Sequence, residues 1–577
     1  MSSKIPATVD SDGAPGRPEG CRVPEIKKGE AMSLEHTTAW RRPHWLTGDD
    51  SLVRVGPGTG GSEEHTCPSH AAAKARPGLW PARRLRLPKP ELETFTLGPV
   101  MDAVDRIEFH EETPDQALAG LRSRTPVLHP GHLTYAEHAL RTYLGACADD
   151  TGQGLQPVRP YWVAQRENGK FWELYAWWRR YEAAGGRLRE YRRLRHGEAK
   201  DSEPGEIAIA VYVAVHGRQA AWPRKWARPF EPYGPAVRPE RVRVVEVGLA
   251  DGRPRVQFDG TAEEAEAYYA EHGHAHVARI VAGGRPAPGS SCVDCKQFAG
   301  CEAVPRRPGV LGLPSRVAPL RKVSISDLRY HAACPAQGFL RALHLPKSDE
   351  YGSAARLGQA VHGWVEKLHR RPGWPPCAAS DMPPEGENWT EGRWRVSDED
   401  AATGRDMLLH HVDACPFQDA TLIQRVEPEA LRVVHDTAAQ AVVIAKPDLL
   451  YQEDGSWVWR ELKTTRKRRR RHEDPLETYP QLALAVTLLA QGALGGDPDG
   501  SRVEVEILRP DGSDPHVIDP TDPEQRRKAL AVLRRYAGPW REDEAWDARP
   551  GPHCQSCPVS RWCPSGASDG AVAAEGE

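Results

Sequence analysis

One stretch of this chain occurs twice, and the repetition constrains the fold more than any other feature. The segment RVRVVEVGLADGRPRVQFDGT (241–261) has a counterpart in SRVEVEILRPDGSDPHVIDPT (501–521). At a constant offset of 260, Val245 matches Val505, Glu246 matches Glu506 and Val247 faces Ile507. Asp251-Gly252 matches Asp511-Gly512, while Asp259 and Thr261 match Asp519 and Thr521. About 30 residues beyond each segment stands the same pattern, C-x2-C-x5-C: Cys292, Cys295, Cys301, and then Cys554, Cys557, Cys563. Two matches in the same order at nearly the same offset imply two related domains, 91–302 and 318–566. A chain of 577 residues is too long for a single core in any case.

Composition narrows what surrounds these domains. With 52 Gly and 52 Pro, much of the chain must be irregular. Residues 1–90, rich in Gly, Pro, Ser and charge without periodicity, read as mostly disordered. So does the tail 567–577, and 303–317 reads as an interdomain linker. A net charge of −3 excludes a uniformly basic nucleic-acid-binding protein, so any DNA contact must come from local patches. No apolar run approaches a membrane span, and the N-terminal residues lack a secretory h-region. The expectation is a cytoplasmic protein whose 12 Cys serve as metal ligands more than as disulfides.

The second copy carries the chemistry. Ser326 is placed to cap a helix, DLRYHAACPAQGFLRAL, that bears Cys334. A second helix, SAARLGQAVHGWVEKLHRR, has an apolar stripe of Leu357, Val361, Val365 and Leu368, with His362 beside it. Strands ALRVV (430–434), QAVVIAKPDLLYQ (440–452) and SWVWRELKTT (456–465) follow, the last two forming a hairpin about QEDGS. Alternation puts Trp457, Trp459, Glu461 and Lys463 on one face and Val458, Arg460 and Leu462 on the other. Asp448 comes from the neighbouring strand near the same end. Two carboxylates and an ammonium then share one small space. Mg²⁺ takes one or two protein carboxylates and leaves room for water and phosphate. Such a metal acidifies water and offsets charge on a phosphodiester, while a lysine can orient the nucleophile. A D…E-x-K pattern alone is also met as a solvated cross-strand pair. A helix with Gln481 near its start and the strand SRVEVEIL complete the unit.

Residues 324–563 resemble the RecB-like branch of the PD-(D/E)XK nucleases, and within it the iron–sulfur members such as the AddB nuclease domain. The resemblance implies a restriction-endonuclease-like α/β core: a mixed central sheet flanked by helices, here duplicated with a degenerate N-terminal copy. It implies His362, Asp448 and Glu461 as ligands of Mg²⁺ or Mn²⁺, Lys463 as the catalytic lysine, and Gln481 as the start of a Q-x-x-x-Y motif. It also implies that Cys334, Cys554, Cys557 and Cys563 hold a [4Fe–4S] cluster that staples the two ends of the domain. Spacing alone admits zinc equally. Two positions depart from the family: Ala485 replaces the motif tyrosine, and Ala445 replaces the usual Gly three residues before the metal Asp. The activity implied is hydrolysis of DNA, as an exonuclease on single strands or ends. The alternative is a non-catalytic nucleic-acid-binding or assembly module that retains the fold.

In the first copy the triplet Cys292, Cys295, Cys301 lacks a fourth ligand. Cys67 has a similar Cys-Pro context and a similar span to its triplet, with Cys147 and Cys21 as further candidates. The register of GRLREYRRLR (186–195) that matches Glu190 to Glu461 matches Arg192 to Lys463, with no counterpart of Asp448. Trp162, Trp172, Trp177, Trp178, Trp222 and Trp226 either fill a core or stack on bases. The run RKRRRR (466–471) is either solvated surface or a phosphate track. No phosphate-binding G-x-x-x-x-G-K-[ST] loop is present. Unwinding would therefore need a helicase or another repair or defence protein as partner.

Overall fold

A computed structural model describes residues 40–61, 67–82, 91–148, 154–348, 352–467 and 474–566. The first half is built mainly on two sheets, beside a short pairing of Leu46–Gly48 with Leu79–Pro81. β1 (Leu52–Val55) precedes α1 (Pro68–Lys74), α2 (Gly98–His110) and α3 (Pro130–Ala148). The hairpin β2 (Tyr161–Asn168) and β3 (Lys170–Tyr175) receives β1 parallel to β3. β4 (Arg179–Glu182), β5 (Leu188–Arg195), β6 (Arg241–Gly248) and β7 (Pro254–Thr261) make the larger sheet. Its order is β7-β6-β5-β4 with Gln156–Pro157 at the edge, and only the β5–β6 pair is parallel. α4 (Pro204–His216) supplies the β5–β6 crossover. Its sequence EIAIAVYVAV is apolar on nearly every side, and it is buried almost throughout.

The second half repeats this plan. β8 (Arg321–Ser324) leads into α5 (Ile325–Ala333), α6 (Pro335–Ala342), α7 (Ser353–His369) and α8 (Asp398–Ala414). Then come β9 (Ile423–Pro428), β10 (Arg432–Asp436), β11 (Ala441–Ala445), β12 (Leu449–Glu453) and β13 (Ser456–Thr464). α9 (Pro480–Ala490), β14 (Arg502–Arg509), β15 (Gly512–Ile518) and α10 (Pro523–Glu542) finish it. The larger sheet runs β9-β12-β13-β14-β15, again with a single parallel pair, β13–β14. β8 pairs parallel with β11 as β1 does with β3. Asp454 and Gly455 both take positive φ, the primed two-residue turn that matches the twist of the β12–β13 strands. The two faces of β13 separate as alternation requires. Trp457 and Trp459 pack with α9 and α10, Val458 and Leu462 with α7 and α8.

Four details differ from the sequence reading. Within 1–90, residues 40–61 and 67–82 form strands and a helix, because LVRV and the Ala-rich turn of α1 bury fully against the first half's core; residues 1–39 and 567–577 lie outside the described residues. The stretch 303–317 is not a free linker. Arg306–Arg307 pair with β10, Val310 and Leu311 are buried, and Asp436 accepts from the Gly309 and Leu311 amides at 2.9 and 2.8 Å. The cap is Ser324, in a capping box with Asp327, and the helix breaks at Cys334 because Pro335 opens a new one. The run 440–452 is two strands in two sheets, parted at Lys446-Pro447-Asp448. Among the described residues no helix is long and apolar enough to cross a membrane.

The halves interlock through their cysteine regions. Trp562, only 1% exposed, sits between Cys557 and α3, edge-on to Tyr135 at 5.2 Å, and donates to the Pro346 carbonyl at 2.6 Å. Gly131 is required here, since a Cβ would stand 2.7 Å from Leu340. Trp562→Ala is expected to destabilise the protein by about 3–5 kcal/mol, read as a lower urea midpoint; an unchanged midpoint would remove this residue from the shared core.

Candidate active site and metal centres

The break at Pro447 sets up the first site. Proline cannot donate to a ladder, so the chain leaves one sheet and re-enters the next with Asp448 at the crossing. The Asp448 carboxylate accepts from the Leu462 amide at 2.7 Å and from Lys463 Nζ at 3.2 Å. Lys463 also donates to Glu461 Oε2 at 2.8 Å and to the Leu462 carbonyl at 2.8 Å. Trp459 Nε1 donates to the other Glu461 oxygen at 2.9 Å. His362 Nδ1 stands 3.3 Å from Asp448 Oδ1. It reaches there from α7, where Gly358 lets the helix approach β13: a Cβ would lie 2.8 Å from Thr464 Oγ1. His362, Asp448, Glu461 and Lys463 therefore meet in one place. Gln481 stands in the first turn of α9, half-buried. Ala485 is fully buried in the core, so a side chain at that position points away from any open groove.

The electrostatics pull the two carboxyls apart. Burial alone would raise Asp448, yet the Lys463 ammonium and His362 hold it well below the usual carboxylate range. Burial raises Glu461, only partly opposed by Lys463. The lysine, despite burial, is held charged by both. Glu429 is a neighbour the sequence reading passed over. Its amide donates to the Asp448 carbonyl at 3.2 Å, and burial raises its carboxyl beside Lys446. It lies in an irregular turn with no pattern to mark it.

The residues of the family motif are thus gathered. Residues 322–564 match the family model of the PD-(D/E)XK nuclease superfamily. In this part of the chain the mixed sheet flanked by helices is consistent with a restriction-endonuclease-like fold. No curated protein matches the chain.

Cysteines lie near both ends of the matched region. Cys334, Cys554, Cys557 and Cys563 line one small cavity. Cys67, Cys292, Cys295 and Cys301 line another, where burial pushes the Cys295 thiol up to about 12. Cys67 Sγ also accepts from the Ala287 amide at 3.3 Å. Cys147 lies elsewhere, 2.9 Å from Arg192, and Cys21 is outside the described residues.

In the first half the register corrects the sequence alignment. Arg192 stands opposite Val245 as Glu461 stands opposite Val505, and Leu194 opposite Val247 as Lys463 opposite Ile507. Arg179, paired with Arg192, takes the place of Asp448. Glu190 and Arg192 therefore sit two residues earlier than the places assigned to them. A two-residue slip preserves which face each side chain occupies, so alternation could not reveal it. Glu190 is fully buried between Arg192 and Arg243. The tryptophans divide: Trp162 and Trp178 are core, while Trp222 and Trp226 stack on each other at 5.0 Å and are 49% and 37% exposed. Of the basic run, 468–471 lie outside the described residues, and Arg466 pairs with Asp400.

Sequence reading also missed a tight group among the described residues: His369, Cys377, His411 and Cys415, all buried. The available signal was two short His-to-Cys spacings, too far apart in sequence to be read together.

Lys463→Ala leaves Asp448 and Glu461 facing each other without a cation. In metal-free protein it is expected to cost about 3–5 kcal/mol, and added Mg²⁺ or Mn²⁺ should raise its thermal midpoint more than that of the wild type. Equal shifts in the two proteins would show that the cation binds elsewhere.

Proposed function

We propose that this protein is a metal-dependent DNA nuclease that hydrolyses phosphodiesters at single strands or DNA ends. The observation that carries the reading is the convergence of His362, Asp448, Glu461 and Lys463 at the end of β13. One imidazole and two carboxylates form a hard, oxygen-rich donor set that suits Mg²⁺ or Mn²⁺. Such an ion supplies Lewis acidity toward a phosphate and lowers the pKa of a water. The chain's own residues do the rest. The Leu462 amide and Trp459 indole fix the two carboxylates, and the Lys463 ammonium presents positive charge where phosphate oxygens would gather negative charge. Gln481, at the start of α9, is proposed to contact substrate or water.

We further propose that Cys334, Cys554, Cys557 and Cys563 hold a structural [4Fe–4S] cluster, and that Cys67, Cys292, Cys295 and Cys301 hold a second. Shared cavities support both groupings. Four thiols around each accept either iron–sulfur or zinc. The first half is read as a degenerate copy, on the support of its matched sheet order and of arginines at the carboxylate positions. Its exposed Trp222–Trp226 pair gives it a stacking surface for bases.

The test is cleavage of end-labelled single- and double-stranded DNA by anaerobically purified protein with Mg²⁺ or Mn²⁺. Lys463→Ala, assayed where it is folded, is expected to lower the rate by about 10²–10³-fold, and Asp448→Ala to abolish it. Cleavage that survives both would place the activity elsewhere. Its absence from cluster-loaded wild type would favour a binding or assembly module. Iron and acid-labile sulfide at about four each per site would support the clusters, whereas zinc alone would replace them.

A further inference from the structure

Beneath the proposed catalytic centre, four buried side chains converge from one loop and two helix ends. His369 closes α7, Cys377 lies in the loop that follows, His411 is in the last turn of α8 and Cys415 comes directly after it. Their ligand atoms all lie within 4.8 Å of one another. The two imidazoles face each other through Nε2 at 3.2 Å. The Cys377 amide donates to Cys415 Sγ at 3.4 Å. The outer nitrogen of His411, Nδ1, is held by Glu506 at 2.9 and 3.1 Å.

We propose that His369, Cys377, His411 and Cys415 form a structural zinc site, separate from both four-cysteine groups. Two thiolates and two imidazoles are a closed tetrahedral donor set, the arrangement zinc takes when it holds a fold rather than catalyses. Glu506 accepts from His411 Nδ1, so the neutral ring presents a bare Nε2 lone pair toward His369 Nε2 at 3.2 Å, and one metal between them can accept both lone pairs. A carboxylate on the far nitrogen of a ligating histidine fixes its tautomer and strengthens it as a ligand, the role Glu506 is placed to fill. Charge also balances. Two thiolates offset the dication, and Glu506 is itself paired with Arg460 at 2.7 Å.

The site's position gives it a task. His369 lies seven residues after His362 on α7, two turns along the same face. One cavity is lined by His362 and Asp448 on one side and by His369, His411 and Glu506 on the other. Zinc there would tie the end of α7, the long loop after it and the end of α8 to β13 and β14 through Arg460 and Glu506. His362 would then be a ligand carried on a helix whose far end is fixed.

The experiment is zinc analysis and zinc K-edge absorption on full-length protein purified anaerobically. The expected result is about one zinc per chain with a mixed sulfur and nitrogen shell of two each. Cys377→Ser should lose that zinc while iron stays unchanged, and Cys554→Ser should lose about half of the iron while zinc stays. Glu506→Gln should keep the fold but release zinc to a chelator with about 10–100-fold weaker retention. These readouts do not depend on nuclease activity. Wild-type protein without zinc, a shell of sulfur alone, or a Cys377–Cys415 disulfide in the purified chain would overturn the proposal.

Discussion

The ammonium of Lys463, held between Asp448 and Glu461, is the interaction around which the second half is arranged. Three ionisable groups cannot share a buried space unless their charges offset one another and their remaining lone pairs are satisfied. β13 meets that requirement by being central: flanked by β12 and β14, it leaves only its C-terminal end free to carry charge. Its Leu462 amide turns toward Asp448 because the ladder to β12 stops at Leu449, opposite Arg460. The break at Pro447 is therefore part of the site. Had the strand continued as one piece through 440–452, Asp448 would have stayed in the ladder of a single sheet.

What could be read from the sequence follows from what has a period. The faces of β13, the stripe of α7 and the Asp-Gly turn are short-range patterns, and each appears in the structure where the pattern put it. Cys67 lines one cavity with the first triplet. The misreadings share a cause. Ser324 and Ser326 both suit a cap, and only Asp327 at the right distance from Ser324 decides between them. Arg192 could be slid by two along β5 without changing its face. The burial of Val310 and Leu311 depends on Asp436, more than a hundred residues away, to hold their loop. Long-range partners of this kind leave no local trace.

The repeated glutamate shows how a conspicuous motif can be structural. Glu246 and Glu506 occupy matching places on β6 and β14, and both are fully buried. Each is neutralised by an arginine of the adjacent parallel strand, Arg195 in one half and Arg460 in the other. In both halves the remaining oxygens accept from a serine, Ser202 or Ser513. A buried carboxylate left without an arginine would be expensive, and the halves supply it from different register positions: Arg195 lies three residues after Arg192, Arg460 one residue before Glu461. At the register places of Asp448 and Glu461 the first half carries Arg179 and Arg192. Two arginines there would repel a divalent ion, while the sheet around them keeps the same strand order.

The cysteine regions then carry the relation between the halves. The first group packs its Cys292 and Cys301 against Val433, Val442 and Ile444 of β10 and β11, which belong to the second half. The second group packs Cys557, Cys563 and Trp562 against α2 and α3 of the first. Each half thus rests on the cysteine site of the other. Both triplets lie in short 3-10 turns. The His369–Cys415 group differs in kind: its contacts are to α7, α8 and β14, so it acts within the second half, on the helix that carries His362.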